Sequence, residues 1–161
     1  MKTRLLAVFG LIALITSGCG QKDSSATAAA SAPAGPREID ITAGDTMKYD
    51  TTEIDAKPGE ELKVVLTNVG SQPVEVMGHN WVLLKPDADV AAFDAAALNA
   101  KDTGYIPDAL KDEIVAHIPL QGPRKSGEVD FNAPTTPGVY PFLCTFPAHY
   151  QTGMKGTLTV K

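Results

Sequence analysis

Three side chains able to hold a metal fall at even spacing near the C-terminal end of the chain. They are Cys144, His149 and Met154, in LCTFPAHYQTGM, a C-x4-H-x4-M pattern. A further histidine, His79, stands 65 residues before the cysteine in Met77-Gly78-His79-Asn80-Trp81. Thiolate, imidazole and thioether form a soft to borderline donor set that favours copper and suits calcium or magnesium poorly. The thiol must lose its proton to bind, and a cation beside it favours that state. One Cys, two His and a weakly held Met match a trigonal copper site with a long axial thioether. Cys144 and His149 could also form a thiol nucleophile and its base. That reading leaves His79 and Met154 without a role and supplies no third group to orient the base. The remaining histidine, His117 in Val115-Ala116-His117-Ile118, has no ligand-type neighbours and reads as structural or exposed. Copper enzymes that need an additional histidine-rich centre require more than the three histidines present, so an enzyme is not expected.

Such a site needs a stiff frame, and the chain offers one made of strands. Fourteen Gly and twelve Pro in 161 residues imply many turns, and short β-rich runs lie between them. The runs are Ile39 with Ile41, Leu62–Leu66 after the Pro58-Gly59 turn, Val74–Leu84 with Trp81, Ile114–Ile118, Val129–Phe131, Val139–Leu143 and Thr157–Val160. Asp87–Asn99 departs from the pattern, with helical propensity and apolar Val90, Phe93 and Ala97. The expectation over 37–161 is an all-β sandwich crossed outside by one short helix. The C-x4-H-x4-M loop then joins the last two strands, while a distant strand brings His79.

MGHNWVL together with CTFPAHYQTGMKGTLTVK strongly resembles the azurin and auracyanin branch of the blue copper proteins, the cupredoxins. The resemblance runs from about Ile39 to Lys161. It implies a Greek-key β-sandwich and one-electron transfer through one copper ion. Its equatorial ligands fall on His79, Cys144 and His149, its weak axial ligand on Met154, and a further weak contact on the carbonyl of Gly78. Asn80 matches the residue that stitches the two ligand-bearing loops together, and Trp81 the buried indole. His149 is then the expected route of electron access at the surface, within an apolar docking patch of Met47, Met77, Phe146, Pro147 and Ala148. Tyr150 either lines that surface or caps the loop. Three features differ within the family: the His-to-Met gap is that of auracyanins and rusticyanins, Ala148 stands where Gly is usual, and no cysteines are available for the azurin disulfide. The implied partners are redox proteins such as cytochromes or membrane electron-transfer complexes, met by a monomer. A copper storage or delivery lipoprotein is the alternative reading.

The first residues read as an address. Lys2 and Arg4 precede an apolar run from Leu5 to Ile15, too short for a stable span but suited to a secretory signal over 1–18. Thr16-Ser17-Gly18-Cys19 resembles the lipobox of bacterial lipoproteins, which makes Cys19 the expected lipidated residue. Residues 19–36, rich in Gly, Ala, Ser and Pro, carry too little apolar surface to fold and read as a linker. The expected location is a bacterial membrane, facing periplasm or cell surface. The full chain carries −5, and loss of 1–18 leaves 12 cations against 19 anions, or −7. This acidity argues against nucleic acid as a partner, since binding phosphates needs a basic surface.

Overall fold

The computed structural model describes residues 35–161, so the expected signal segment, the lipobox ending at Cys19 and nearly all of the linker lie outside the described residues. The described chain forms β1 (Arg37–Ala43), β2 (Glu53–Ala56), β3 (Glu61–Asn68), α1 (Val74–Met77), β4 (His79–Leu84), α2 (Val90–Ala97), β5 (Ile114–Gln121), β6 (Ser126–Asn132), β7 (Gly138–Leu143) and β8 (Lys155–Val160). Two short 3₁₀ segments, Lys101–Thr103 and Asp108–Glu113, follow α2.

Alternation builds the first sheet. Leu62, Val64 and Leu66 of β3 and Ile39, Ile41 and Ala43 of β1 are buried at every second position. A period of two turns these residues to one face of the sheet. β1 runs parallel to β3 and β6 antiparallel on its other side, giving the order β1-β3-β6. The second sheet has the order β2-β8-β7-β4-β5, with only the β2–β8 pair parallel. The all-β sandwich expected from the sequence is what the chain forms.

β4 departs from alternation, because all six of its residues are buried. Trp81 and Leu83 enter the main core between the sheets, where Trp81 lies against Phe142 and Phe131. Val82 and Leu84 enter a second core on the other face, with Phe93 of α2, Ile106 and Leu143. α2 therefore roofs the outer face of the five-stranded sheet, and its amphipathic stripe supplies Phe93 and Ala97 as buried residues. The Asp89 side chain caps its first turn by accepting from the Ala92 N–H at 3.0 Å.

Two expectations change. The run Val74–Leu84 is not one strand: its first four residues form the helical turn α1. Pro73 opens that turn, the N–H groups of Val76 and Met77 both donate to its carbonyl at 2.9 Å, and Gly78 ends it in extended backbone. The fixed φ of proline favours such a start over the β preference of the two valines. The helix itself occupies Val90–Ala97, within the longer stretch expected, and the edge strand β2 is additional.

β1 also gives the sandwich an axis. At its start, Arg37 binds Glu60 and the Asp55 carbonyl, near Lys161, which pairs with Asp55. At its end, Ala43 leads into Gly44, beside His79.

A candidate metal centre between two strands

His79 opens β4, and Cys144 directly follows β7, the neighbour of β4. The chain then turns through 145–154 and enters β8, so the frame on both sides is hydrogen-bonded sheet. Cys144 donates its N–H to the Met154 carbonyl at 3.1 Å, and Met154 donates to the His149 carbonyl at 3.0 Å. These bonds close the loop on itself and bring the backbones of three sequence-predicted ligands together.

The donor atoms of His79, Cys144 and His149 all lie within 4.8 Å of one another. Cys144 Sγ stands 3.4 Å from His149 Nδ1, and the two imidazole centroids are 4.9 Å apart. Nitrogen and sulfur donors at roughly 2.0–2.3 Å from one metal ion stand about 3.3–4 Å apart, so this spacing suits a shared ion. His79, Cys144 and Met154 are 0% exposed and His149 is 1% exposed. Neither ring nitrogen of His79 makes a hydrogen bond of ordinary geometry, although the Gly44 backbone lies close enough to favour its proton. A buried polar atom left in that state is costly, and a metal at the cluster would relieve the cost. The donor set is a thiol and two imidazoles beside a thioether, which selects copper over harder ions. The residues present fit one copper ion.

Burial sets the charge of the donor cluster. It lowers the pKa of His79, against the opposite pull of the Gly44 backbone and the Asp45 charge. Burial, with a smaller contribution from His79, brings His149 down to about 4. The Cys144 thiol is pushed up to about 12, again by burial, although the Asn80 and Phe146 backbones favour its thiolate. At neutral pH the cluster thus holds two neutral rings and a thiol, ready to exchange one proton for a metal.

Asn80 locks the two halves of the site together. Its Nδ2 donates to Thr145 Oγ1 at 2.7 Å and to the Gly104 carbonyl at 3.3 Å, while its Oδ1 accepts from the Thr145 N–H at 2.8 Å. The Thr145 hydroxyl donates onward to the Tyr105 carbonyl at 2.7 Å, and Tyr49 donates its phenol to the Asn80 carbonyl. Sequence reasoning missed Thr145 and Tyr49. A hydroxyl between Cys144 and Phe146, in an otherwise apolar run, was the available signal for Thr145. Gly78 is buried, and a Cβ there would meet the Val74 carbonyl at 2.7 Å and Leu120 at 2.8 Å. No larger residue fits ahead of His79.

The expected surface residues divide. Met47, Met77 and Pro147 are half-buried, Ala148 is exposed and Phe146 is 6% exposed. His149 does not reach solvent as expected: the Phe146 ring, 4.7 Å away by centroids, and the surrounding loop cover it. Tyr150 packs against the second core beneath the Lys155 ammonium, 4.7 Å from its ring centroid. His117 is exposed on β5, apart from the cluster.

Known proteins resemble this chain in sequence and in structure. Auracyanin-B of Chloroflexus aurantiacus is 45% identical over 83 residues, which is 51% of this chain and 35% of that protein. An azurin of Pseudomonas fluorescens is 37% identical over 89 residues, 53% of this chain and 67% of the azurin. The chain thus spans only about a third of the length of the auracyanin-B relative. Among solved structures, reduced auracyanin from Roseiflexus castenholzii matches with a TM-score of 0.69 and 36% identity, over 79% of this chain and 98% of that one. Auracyanin A of Chloroflexus aurantiacus, described as a "blue" copper protein, matches with a TM-score of 0.69 and 32% identity, over 79% and 100%. The profile of the copper binding proteins of the plastocyanin/azurin type covers residues 37–161. With that match and a copper-fitting His79–Cys144–His149 cluster inside it, the chain belongs to the plastocyanin/azurin family.

Proposed function

We propose that this protein is a one-electron carrier with a single blue copper site, exported and held at a bacterial membrane by lipid on Cys19. The observation that carries the carrier role is the burial of the donor cluster to 1% exposure or less. No substrate reaches a metal there, whereas an electron needs only a short path through packed atoms. When bound, copper supplies one-electron exchange between Cu(II) and Cu(I). The chain's part is to give up the Cys144 proton, present neutral His79 and His149, and hold them still through β4, β7 and the Asn80–Thr145 lock. Met154 would hold the ion weakly through its thioether, and the Gly78 carbonyl would add a further weak contact. Burial also favours the carrier over copper storage or delivery, since delivery needs an accessible, readily exchanged metal.

The surface supports brief encounters. Val76 on α1 is 58% exposed and adds to Met47, Met77, Pro147 and Ala148 as apolar surface around the site. A small apolar patch gives the weak, fast association a carrier needs with cytochromes or membrane complexes. The lipobox-like Thr16–Cys19 and the apolar run before it support the anchor. Two acyl chains at Cys19 would make that anchoring stable.

Titration of the chain with Cu(II) tests the proposal. The expected result is an intense thiolate-to-copper band in the red that saturates at one equivalent, bleaches with ascorbate and returns on oxidation. Cys144→Ser should lose both band and reversible couple. Copper bound without the band, or a Cys144→Ser variant that keeps it, would overturn the reading.

A further inference from the structure

α2 carries a carboxylate that its own packing does not require. Phe93 and Ala97 already dock the helix, yet Asp94 beside them is only 2% exposed, the one acidic side chain buried among the described residues. An acidic group is rarely placed there unless it is paired, because burial opposes its charge. Burial accordingly raises its pKa. One oxygen, Oδ2, accepts a hydrogen bond from Gln151 Nε2, while Oδ1 has no partner. Gln151 lies in the metal-binding loop, two residues after His149 and three before Met154. The pair thus joins a helix of the sheet's outer roof to the middle of the loop, 57 residues away in sequence.

Other contacts hold the loop from different sides. Lys48 donates to the Thr152 carbonyl from the β1–β2 connection, and Tyr150 rests on the core that contains Phe93. Inside the loop, Thr152 donates to the Ala148 carbonyl at 3.1 Å and Gly153 to the Tyr150 carbonyl at 2.9 Å. Among the described residues, Asp94–Gln151 is the one side-chain hydrogen bond between the His149–Met154 span and α2.

We infer that Asp94 is a positioning residue for the metal centre: by holding Gln151 it fixes the path of the chain between His149 and Met154. This rests on the proposed metal site, but the brace can be tested without metal. In the full metal-free chain, Asp94→Ala and Gln151→Ala should each speed amide hydrogen exchange at residues 150–154 at least tenfold. The double variant should exchange no faster than either single one, since both remove the same link. Asp94→Asn keeps an oxygen for Gln151 and should exchange within twofold of the unaltered chain. After copper loading, the alanine variants should share one change in the ratio of the thiolate-to-copper bands, while Asp94→Asn keeps the original ratio.

Unchanged loop exchange in Gln151→Ala would overturn the inference. Gln151 is exposed, so that variant remains informative even if Asp94→Ala fails to fold. An Asp94→Asn variant that behaves like Asp94→Ala would also overturn it, by making charge rather than the hydrogen bond responsible. Absence of the copper bands in the unaltered chain would instead refute the metal site and leave the exchange result standing.

Discussion

Ala148 holds φ at 71°, immediately before His149. That left-handed conformation brings the Cβ of an L-residue too close to the backbone, at about 1–2 kcal/mol, and glycine escapes the clash. Ala148→Gly should therefore raise the unfolding free energy by about 0.5–1 kcal/mol after glycine's larger chain entropy is deducted. Urea melts of the metal-free protein would measure it, and a lower midpoint would refute the strain. The ligands themselves titrate in a defined direction. Because folding lowers the pKa of His79 and His149, the unfolded chain binds more protons than the native one as pH falls from about 6.5. The metal-free protein should lose stability progressively from there down to about pH 4, where His149 protonates in place. His149→Phe should flatten that part of the profile. Copper affinity runs the same way for a different reason. With the Cys144 thiol pushed up to about 12, each copper bound near neutral pH releases one proton. The dissociation constant for Cu(II) should fall about tenfold per pH unit, which competition with a chelator of known affinity would follow.

The pairing of β4 with β7 brings His79 and Cys144 together, but the Asn80–Thr145 lock decides how closely the two loops stay in register. Asn80→Ala leaves the buried Thr145 N–H without its acceptor and removes two donated bonds. The expected cost is roughly 2–4 kcal/mol, read as a lower urea midpoint with an unchanged denaturant slope. An effect below 0.5 kcal/mol would mean that water replaces the side chain, roughly the net worth of one ordinary bond. At this scale the sequence was readable where one force dominates. Alternation of Ile39 and Ile41 marked β1, a β-rich run after the Pro58-Gly59 turn marked β3, and the soft donors at C-x4-H-x4-M marked their loop, because donor chemistry depends on residue type and spacing. α1 was hidden because Val74 and Val76 favour strands locally, while Pro73 and Gly78 control the turn from outside. β2 was hidden because Glu53-Ile54-Asp55-Ala56 is short and polar, and takes its conformation from pairing with β8. The roofing of His149 and the Asp94–Gln151 bond depend on loops meeting in space, so neither residue's neighbours in the chain could indicate them.

For the molecule as a whole, metal and fold are linked. The cluster ties β4 to the segment between β7 and β8, so an ion bound there stabilises the native state and not the unfolded chain. At a free copper concentration a thousand times the dissociation constant, the gain is about 4 kcal/mol. For a domain of this size that is a rise in Tm of roughly 10–20 °C. Scanning calorimetry with and without copper would measure it, and Cys144→Ser should lose most of the shift.

β1 adds a sense of direction to this stability. Its seven residues extend about 20 Å, from the Arg37 ion pair to the turn beside His79. Whatever grips the protein by its N-terminal side grips it at the far end of that strand. A protein fixed to a bead or an electrode through that end would hold its copper outward like a lamp on a post. Soluble redox partners would meet the face above the buried site freely, while the supporting surface would be the poorest electron donor in the system.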